Sequence, residues 1–322
     1  MFPSKDRLNI CFAHVAYRMQ DRFALRQAGI DSFELRTRDE LDARIGDADV
    51  LVVSGLWRNE LVERARRLRF IQSIGAGTDQ FDRDLLAARG IRLASASGVN
   101  ARAVSEHAMA LILALSRLLP EARDNQAKRF WRGMIGDLCR REDELGGKTL
   151  LIVGLGRIGG RLAQLVKAFD MRVIGLRRDP AAGSNGADEV HGLGKLHDLL
   201  PQADFVALTC PLTPETEGLI GTAALAAMKP SSYLVNVARG RCVDEAALIR
   251  ALTDRRIAGA GIDVTHEEPL PQDSLLWALE NALITPHTAG ETRRYEDNVL
   301  DILMDNLDRL WRGEAVLRNQ VV

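Results

Sequence analysis

The sequence predicts an α/β chain of two doubly wound parallel-sheet domains, the second inserted into the first. Short apolar runs alternate with amphipathic helical runs along most of the chain, the pattern of strand-helix-strand units. A glycine-rich strand-to-helix turn, TLLIVGLGRIGG at residues 149–160, lies in mid-chain and not at the N-terminus. A long helical run, residues 294–312, follows the last predicted strand and is long enough to cross back onto the first domain. At 322 residues the chain exceeds the usual single-domain size, so each domain has room for its own core.

Taken in order, residues 8–12, 49–53, 69–74 and 91–94 read as strands, with helical runs at 41–45, 60–67 and 84–89. This first domain ends near Gly98. Residues 103–119 form a helix, apolar almost all round and started near Asn100, that is expected to be buried between domains or subunits. Residues 121–147 are rich in charge and carry Trp131, and they read as an arm over a partner subunit, hence a homodimer. Thr149 to Val153 is a strand buried on both faces, followed by the helical run 161–169. Later strands are expected at 172–176, 205–208, 233–236, 259–263 and 282–285. The domains are therefore expected at 1–99 with 289–322, and at 100–288.

Gly154, Gly156 and Gly159 complete a GxGxxG spacing between strand and helix. The first glycine permits a tight turn, the second lets the main chain approach a pyrophosphate, and the third lets helix and strand pack closely. The backbone of Gly154, Gly156, Arg157, Ile158 and Gly159 then offers amide donors at a helix N-terminus, a dinucleotide cradle. An incidental glycine-rich turn is the bland alternative.

Composition narrows the partners. Lys and Arg total 43 against 44 Asp and Glu, a balance of -1 that gives no field to draw the protein onto nucleic acid or an acidic membrane. Cys11, Cys139, Cys210 and Cys242 are far apart with no CxxC pair, which supports neither a metal site nor a disulfide framework and fits a reducing cytoplasm. The N-terminus lacks an apolar signal core and no run approaches the length of a membrane span, so a soluble cytoplasmic protein is expected.

Three residues sit just past successive late strands, where open parallel sheets gather ligands: Arg239 in NVARGRCVDE, Glu268 in DVTHEEPLP and His287 in ITPHTAG. Each alone would read as a solvated surface group. Together they are chemically complementary, because reduction of a 2-oxo acid needs a cation for the carboxylate and a proton donor beside the carbonyl. An imidazole near a carboxylate keeps its proton around neutral pH, and Glu268 would be that partner.

With these residues in place, the chain resembles the D-isomer-specific 2-hydroxyacid dehydrogenases over nearly its whole length. NVARGRCVDEAAL, GAGIDVTHEEPLP and ITPHTAG are similar to that family's successive signatures, and VGLGRIGGRLA to its cofactor fingerprint. IQSIGAGTDQFD, GVNARAVSEHAMALILAL and TCPLTPETEGLI resemble its carboxylate loop, interdomain helix and cofactor-side loop. The resemblance implies a Rossmann cofactor domain inserted into a flavodoxin-like substrate domain. It implies that Arg239 orients substrate, His287 is the acid/base, Glu268 holds and charges the imidazole, and Asp263 meets the nicotinamide carboxamide. It also implies that backbone amides at Ile74, Gly75, Ala76 and Gly77 receive the substrate carboxylate, and that Cys210 and Pro211 line the cofactor. Asp79 is read as a loop-shaping residue. His107 is assigned to core or interface packing, and His14, at the end of the first strand, to the lining of the cleft. His191, His197 and His266 are assigned to exposed positions, and Trp57 to either the substrate cleft or ordinary packing.

The expected cofactor is NADP, with NAD as the alternative. Where an NAD enzyme usually carries an acid after its second strand, this chain has Arg177 and Arg178, and an arginine pairs with a 2′-phosphate that a carboxylate would repel. Asp179 would reach the ribose only if the strand ran further. The expected function is hydride transfer between NAD(P)H and a 2-oxo acid/D-2-hydroxy acid pair, chiefly reduction of a small acid such as glyoxylate or hydroxypyruvate. Two alternatives stand beside it: a dinucleotide-sensing corepressor, weakened by the lack of long disordered extensions, and a phosphoglycerate dehydrogenase, weakened by the lack of room for a C-terminal regulatory domain.

Overall fold

Apolar runs bounded by turns fold as two all-parallel sheets in the computed structural model, which describes residues 2–322. The chain divides into two units, Met1–Asn100 with Thr292–Val322, and Ala101–Glu291.

The first unit carries strands β1 (Asn9–Ala13), β2 (Asp31–Leu35), β3 (Val50–Val53), β4 (Phe70–Ser73) and β5 (Arg92–Ala94) in the order β2-β1-β3-β4-β5. This is the flavodoxin-like order. The central strands β3 and β4 are buried at every residue, as covered parallel strands are. Sequence patterning misses β2 because DSFEL buries only Leu35, leaving an edge strand without an apolar run. The run expected as a helix at 60–67 is not an α-helix but contains a 3₁₀ turn, Asn59–Glu63, that buries Leu61 and Val62. Thr37 and Glu40 form a reciprocal cap that starts the helix Arg38–Arg44. The terminal helix Tyr295–Trp311 packs Val299, Leu300, Leu303 and Leu307 with Ile10, Phe12 and Phe70, so the second unit is an insertion in the first. The C-terminal tail then covers the β5 edge through Val321 N–H donating to Leu93 O at 2.7 Å.

The second unit carries β6 (Thr149–Val153), β7 (Arg172–Leu176), β8 (Glu189–His191), β9 (Phe205–Leu208), β10 (Tyr233–Asn236), β11 (Gly259–Ile262) and β12 (Ala282–Ile284). Their order, β12-β11-β10-β9-β6-β7-β8, is the Rossmann order with one further strand on the β11 edge, and the direction of winding reverses between β6 and β9. The three-residue β8 lies at the other edge, half-buried throughout, and gives no periodic signal.

The helix expected at 103–119 is Ala101–Ser116, and it lays Val104, Ala108, Leu111 and Ile112 against Leu150, Ile152 and Val235 of its own unit's sheet. It stops where Leu118 takes a left-handed φ of 50°, and the following helix Leu119–Ala127 buries no residue. Beyond it Phe130, Trp131, Met134 and Leu138 are exposed, Trp131 at 96%. Among the described residues no single helix is long and apolar enough to cross a membrane, and no cluster of His, Cys, Asp and Glu could hold a metal ion.

Candidate active site

The carboxyl ends of β10, β11 and β12 place Arg239, Asp263, Glu268 and His287 in one unit. Close approach of two of these loops needs a glycine. A Cβ on Gly240 would collide with Thr265 O, so the bare backbone after Arg239 lets that loop lie against the one leading to Glu268. The half-buried Arg239 donates from Nη1 to Ala238 O at 2.7 Å.

His287 Nδ1 and Glu268 Oε2 are 2.7 Å apart, with both side chains partly open to solvent. Glu268 is itself held by Thr265 N–H at 3.2 Å. The hydrogen bond to Glu268 raises the His287 pKa above its ordinary value; burial opposes it, the charges of Glu268 and Asp263 add to it, and Arg239 subtracts. Burial alone would push the Glu268 carboxyl up, but the hydrogen bond and charge of His287, the Thr265 amide and Arg239 bring it below its ordinary value. The stabilisation from charging His287 is therefore full below the ordinary histidine pKa and is lost as pH rises through the raised one. Glu268→Gln keeps the shape and removes the charge, so an NMR titration should show the His287 pKa falling toward the free value of about 6.5. An unchanged pKa would contradict the pairing.

The loop holding His287 is tied to Asp263, which is 2% exposed. His287 N–H donates to Asp263 O at 2.8 Å. Asp263 Oδ1 accepts from Thr285 Oγ1 at 2.6 Å and Thr288 N–H at 3.0 Å, and Oδ2 from Ala289 N–H at 3.1 Å. His107, assigned from sequence to packing, reaches this group: its Nε2 is 2.9 Å from Thr285 Oγ1. No spacing in the helical run 101–116 signals that contact, because it is made only when helix and sheet assemble. A cavity of about 580 Å³ opens beside Glu268 and His287, walled by Leu270, Trp277 and Ile284.

A second cavity, about 520 Å³, lies at the winding reversal and is lined by Gly154, Gly156, Arg177, Arg178, Cys210 and Pro211. Its glycines divide their tasks. Gly154 has φ of 102°, and a Cβ there would lie 2.5 Å from Cys210 N; at Gly159 it would collide with Gly154 O. At Gly156, which caps the helix Arg157–Lys167, a Cβ would meet nothing within 4 Å. Gly154 and Gly159 thus serve packing, while Gly156 bares the chain to open space ahead of the amides of Arg157, Ile158 and Gly159, which the first helical turn leaves without intrahelical acceptors. This donor set fits a dinucleotide pyrophosphate.

Past β7 the two arginines differ. Arg177 spends Nη1 on Gly183 O at 2.8 Å and Ala182 O at 3.2 Å, whereas Arg178 is exposed at the cavity wall. β7 ends at Leu176, and Asp179 instead accepts from Ala181 N–H, capping the next turn. Cys210 and Cys242 are buried free thiols in hydrogen-bond contact; that contact and burial push the Cys210 thiol far up, the opposite of an activated nucleophile.

In the first unit, Ile74 to Gly77 leave the end of β4. Ile74 is buried and its N–H donates to Val53 O at 3.1 Å, extending the β3–β4 ladder, while Gly75 N–H donates to Ser73 Oγ at 3.3 Å, so of the four amides expected to receive a carboxylate these two are already engaged. Gly75 O is taken by Ala96 N–H at 2.9 Å, and Ala76 is exposed at the tip. Trp57 is core, 4% exposed against Phe81. His14 Nδ1 accepts the amides of Ala16 and Tyr17, its ring stacked on Tyr17. His197 and His266 are exposed, while His191 ends β8 half-buried beside Glu189.

Residues 109–289 match the family model for the D-isomer specific 2-hydroxyacid dehydrogenase NAD binding domain. The chain is 36% identical over 283 residues to a D-3-phosphoglycerate dehydrogenase of Methanocaldococcus jannaschii, covering 86% of this chain and 52% of that protein. It thus spans about half the length of that relative. It is 35% identical over 276 residues to a glyoxylate reductase of Korarchaeum cryptofilum, covering 84% of this chain and 82% of the relative. The crystal structure of an NADPH-dependent glyoxylate/hydroxypyruvate reductase from Sinorhizobium meliloti in complex with NADP and malonate superposes with a TM-score of 0.83 at 28% identity, covering 98% of this chain and 97% of the other.

Proposed function

The chain belongs to the D-isomer-specific 2-hydroxyacid dehydrogenase family, and from that premise we propose that it reduces a small 2-oxo acid to the D-2-hydroxy acid. The observation that carries this is the His287–Glu268 pair at 2.7 Å on the carboxyl edge of the sheet. With Nδ1 engaged by Glu268, Nε2 is the nitrogen left to deliver a proton to the substrate carbonyl oxygen. The Arg239 guanidinium grips the carboxylate and polarises the carbonyl. Of the amides that family resemblance assigns to the carboxylate, those of Ala76 and Gly77 are kept, because Ile74 N–H is spent on Val53 O and Gly75 N–H on Ser73 Oγ. A reduced nicotinamide dinucleotide, when bound, supplies the hydride to the carbonyl carbon. Gly154, Gly156, Arg157, Ile158 and Gly159 would hold its pyrophosphate, Cys210 and Pro211 its flank, and Asp263 its carboxamide. Glu268 keeps the imidazole charged until the proton leaves, and solvent then recharges it.

NADP is the proposed cofactor. Arg177 is committed to loop carbonyls, so Arg178 is the cation offered to a 2′-phosphate, and Asp179 is committed to a cap. Arg178→Ser should raise the KM for NADPH by about tenfold or more, the worth of a charged hydrogen bond, and leave that for NADH unchanged. An unchanged ratio would remove the case for NADP.

The exposed apolar arm through Phe130, Trp131 and Met134 supports a homodimer, a patch of that kind being typical of a contact with a second copy. Free buried Cys11, Cys210 and Cys242 support a cytoplasmic setting. The test of function is reduced-cofactor consumption with glyoxylate, hydroxypyruvate and other small 2-oxo acids, using both NADPH and NADH. Because D-3-phosphoglycerate dehydrogenases are among the relatives, 3-phosphohydroxypyruvate belongs in the panel, and preference for it would favour that second reading. No consumption with any acid by folded protein would sink both.

A further inference from the structure

We propose that Thr285 and His107 are positioning residues for His287, linked to Asp263 in a hydrogen-bond chain of fixed direction that holds the loop carrying the imidazole. The proposal rests on the reading of His287 as proton donor.

His287 has φ of 54°, a left-handed conformation sparsely populated by residues with a Cβ. Such a residue stays there only if its surroundings over-determine it. Here the anchors converge on one carboxylate: Thr288 N–H and Ala289 N–H, just after His287, and Thr285 Oγ1, two residues before it. Thr285 supplies the only side chain of the three. Its hydroxyl proton is spent on Asp263 Oδ1 at 2.6 Å, so its oxygen can only accept from His107, and His107 Nε2 must carry a proton.

The order is therefore His107 Nε2–H to Thr285 Oγ1–H to Asp263 Oδ1, with His107 Nε2 also 3.6 Å from that carboxylate oxygen. Asp263 is buried, and removing Thr285 Oγ1 would leave a carboxylate oxygen short of a donor and take from the His107 N–H its 2.9 Å acceptor, with only Asp263 Oδ1 at 3.6 Å left near it. The loop would then relax around His287. Small misplacement of a reacting group is costly in rate even when binding survives.

Thr285→Val removes the hydroxyl at constant shape, and His107→Ala removes the far end while leaving the Thr285–Asp263 bond. Either should lower kcat about tenfold or more with KM for the 2-oxo acid changed less than about threefold, as expected when orientation is lost and binding kept. Thr285→Ser should recover most of the loss. A structural role alone would lower melting temperature without splitting kcat from KM. If Thr285→Val fails to fold, His107→Ala and Thr285→Ser still decide the matter. Loss below about twofold in His107→Ala, or a Thr285→Ser enzyme as slow as the His107→Ala one, overturns the proposal. Nitrogen NMR of His107 gives a readout apart from activity: a protonated Nε2 is required, and a bare one contradicts the chain. His287→Ala separates this proposal from the functional reading. If that variant stays active the reading fails, and if it is inactive while His107→Ala and Thr285→Val are not, only the positioning chain fails.

Discussion

Replacing His287 with alanine should lower kcat for 2-oxo acid reduction by at least about a hundredfold, the ordinary contribution of a positioned general acid. Nothing else at the β12 edge can take over. The Asp263 carboxylate accepts from the loop backbone and Thr285, and Glu268 is a carboxyl held below its ordinary pKa, so Glu268 has no proton to give near neutral pH. Cofactor affinity should hold, because the glycine cradle and Arg178 lie on other strands of the sheet. A loss smaller than tenfold would refute the role. The raised His287 pKa also fixes the sign of the pH dependence. Reduction needs the charged imidazole and falls as pH rises through that pKa, whereas oxidation of the hydroxy acid needs the neutral ring and falls as pH drops through it.

Arg239→Gln should lower kcat/KM by about a hundredfold or more, since it removes a charge-assisted grip on a carboxylate and leaves the carbonyl unpolarised. Most of the loss should appear in KM, unlike that at His287. Arg239→Lys should recover only part of it, because an ammonium cannot reproduce the planar fork. Equal activity of Arg239→Lys and wild type, measured by steady-state kinetics, would mean the guanidinium geometry is unused. Gly240 supports this reading from the backbone side: any side chain there would collide with Thr265 O and part the Arg239 loop from the Glu268 loop.

How far the molecule can be read from its sequence differs by region. Where strands are buried on both faces, as in β3, β4 and β6, uninterrupted apolar runs betray them. Two edge strands conceal themselves: β2 buries only Leu35 and β8 is three half-buried residues, so DSFEL and EVH look like loops. The GxGxxG turn announces its place between strand and helix, but only the assembled structure separates glycines that pack, Gly154 and Gly159, from the one that faces open space, Gly156. Glu268 and His287 stand out because residues past successive parallel strands must gather at one edge. His107 and Thr285 do not, since a helix and a strand separated by 178 positions meet there through tertiary packing alone. The same holds for Cys210 and Cys242, remote in sequence and touching in the core.

Product analysis tests the central claim most directly. With hydroxypyruvate and reduced cofactor, NADPH first and NADH in parallel, chiral chromatography should show D-glycerate formed in amounts equimolar with the cofactor consumed, and His287→Ala should abolish both together. Formation of the L-isomer, or cofactor oxidation without any hydroxy acid product, would contradict the account.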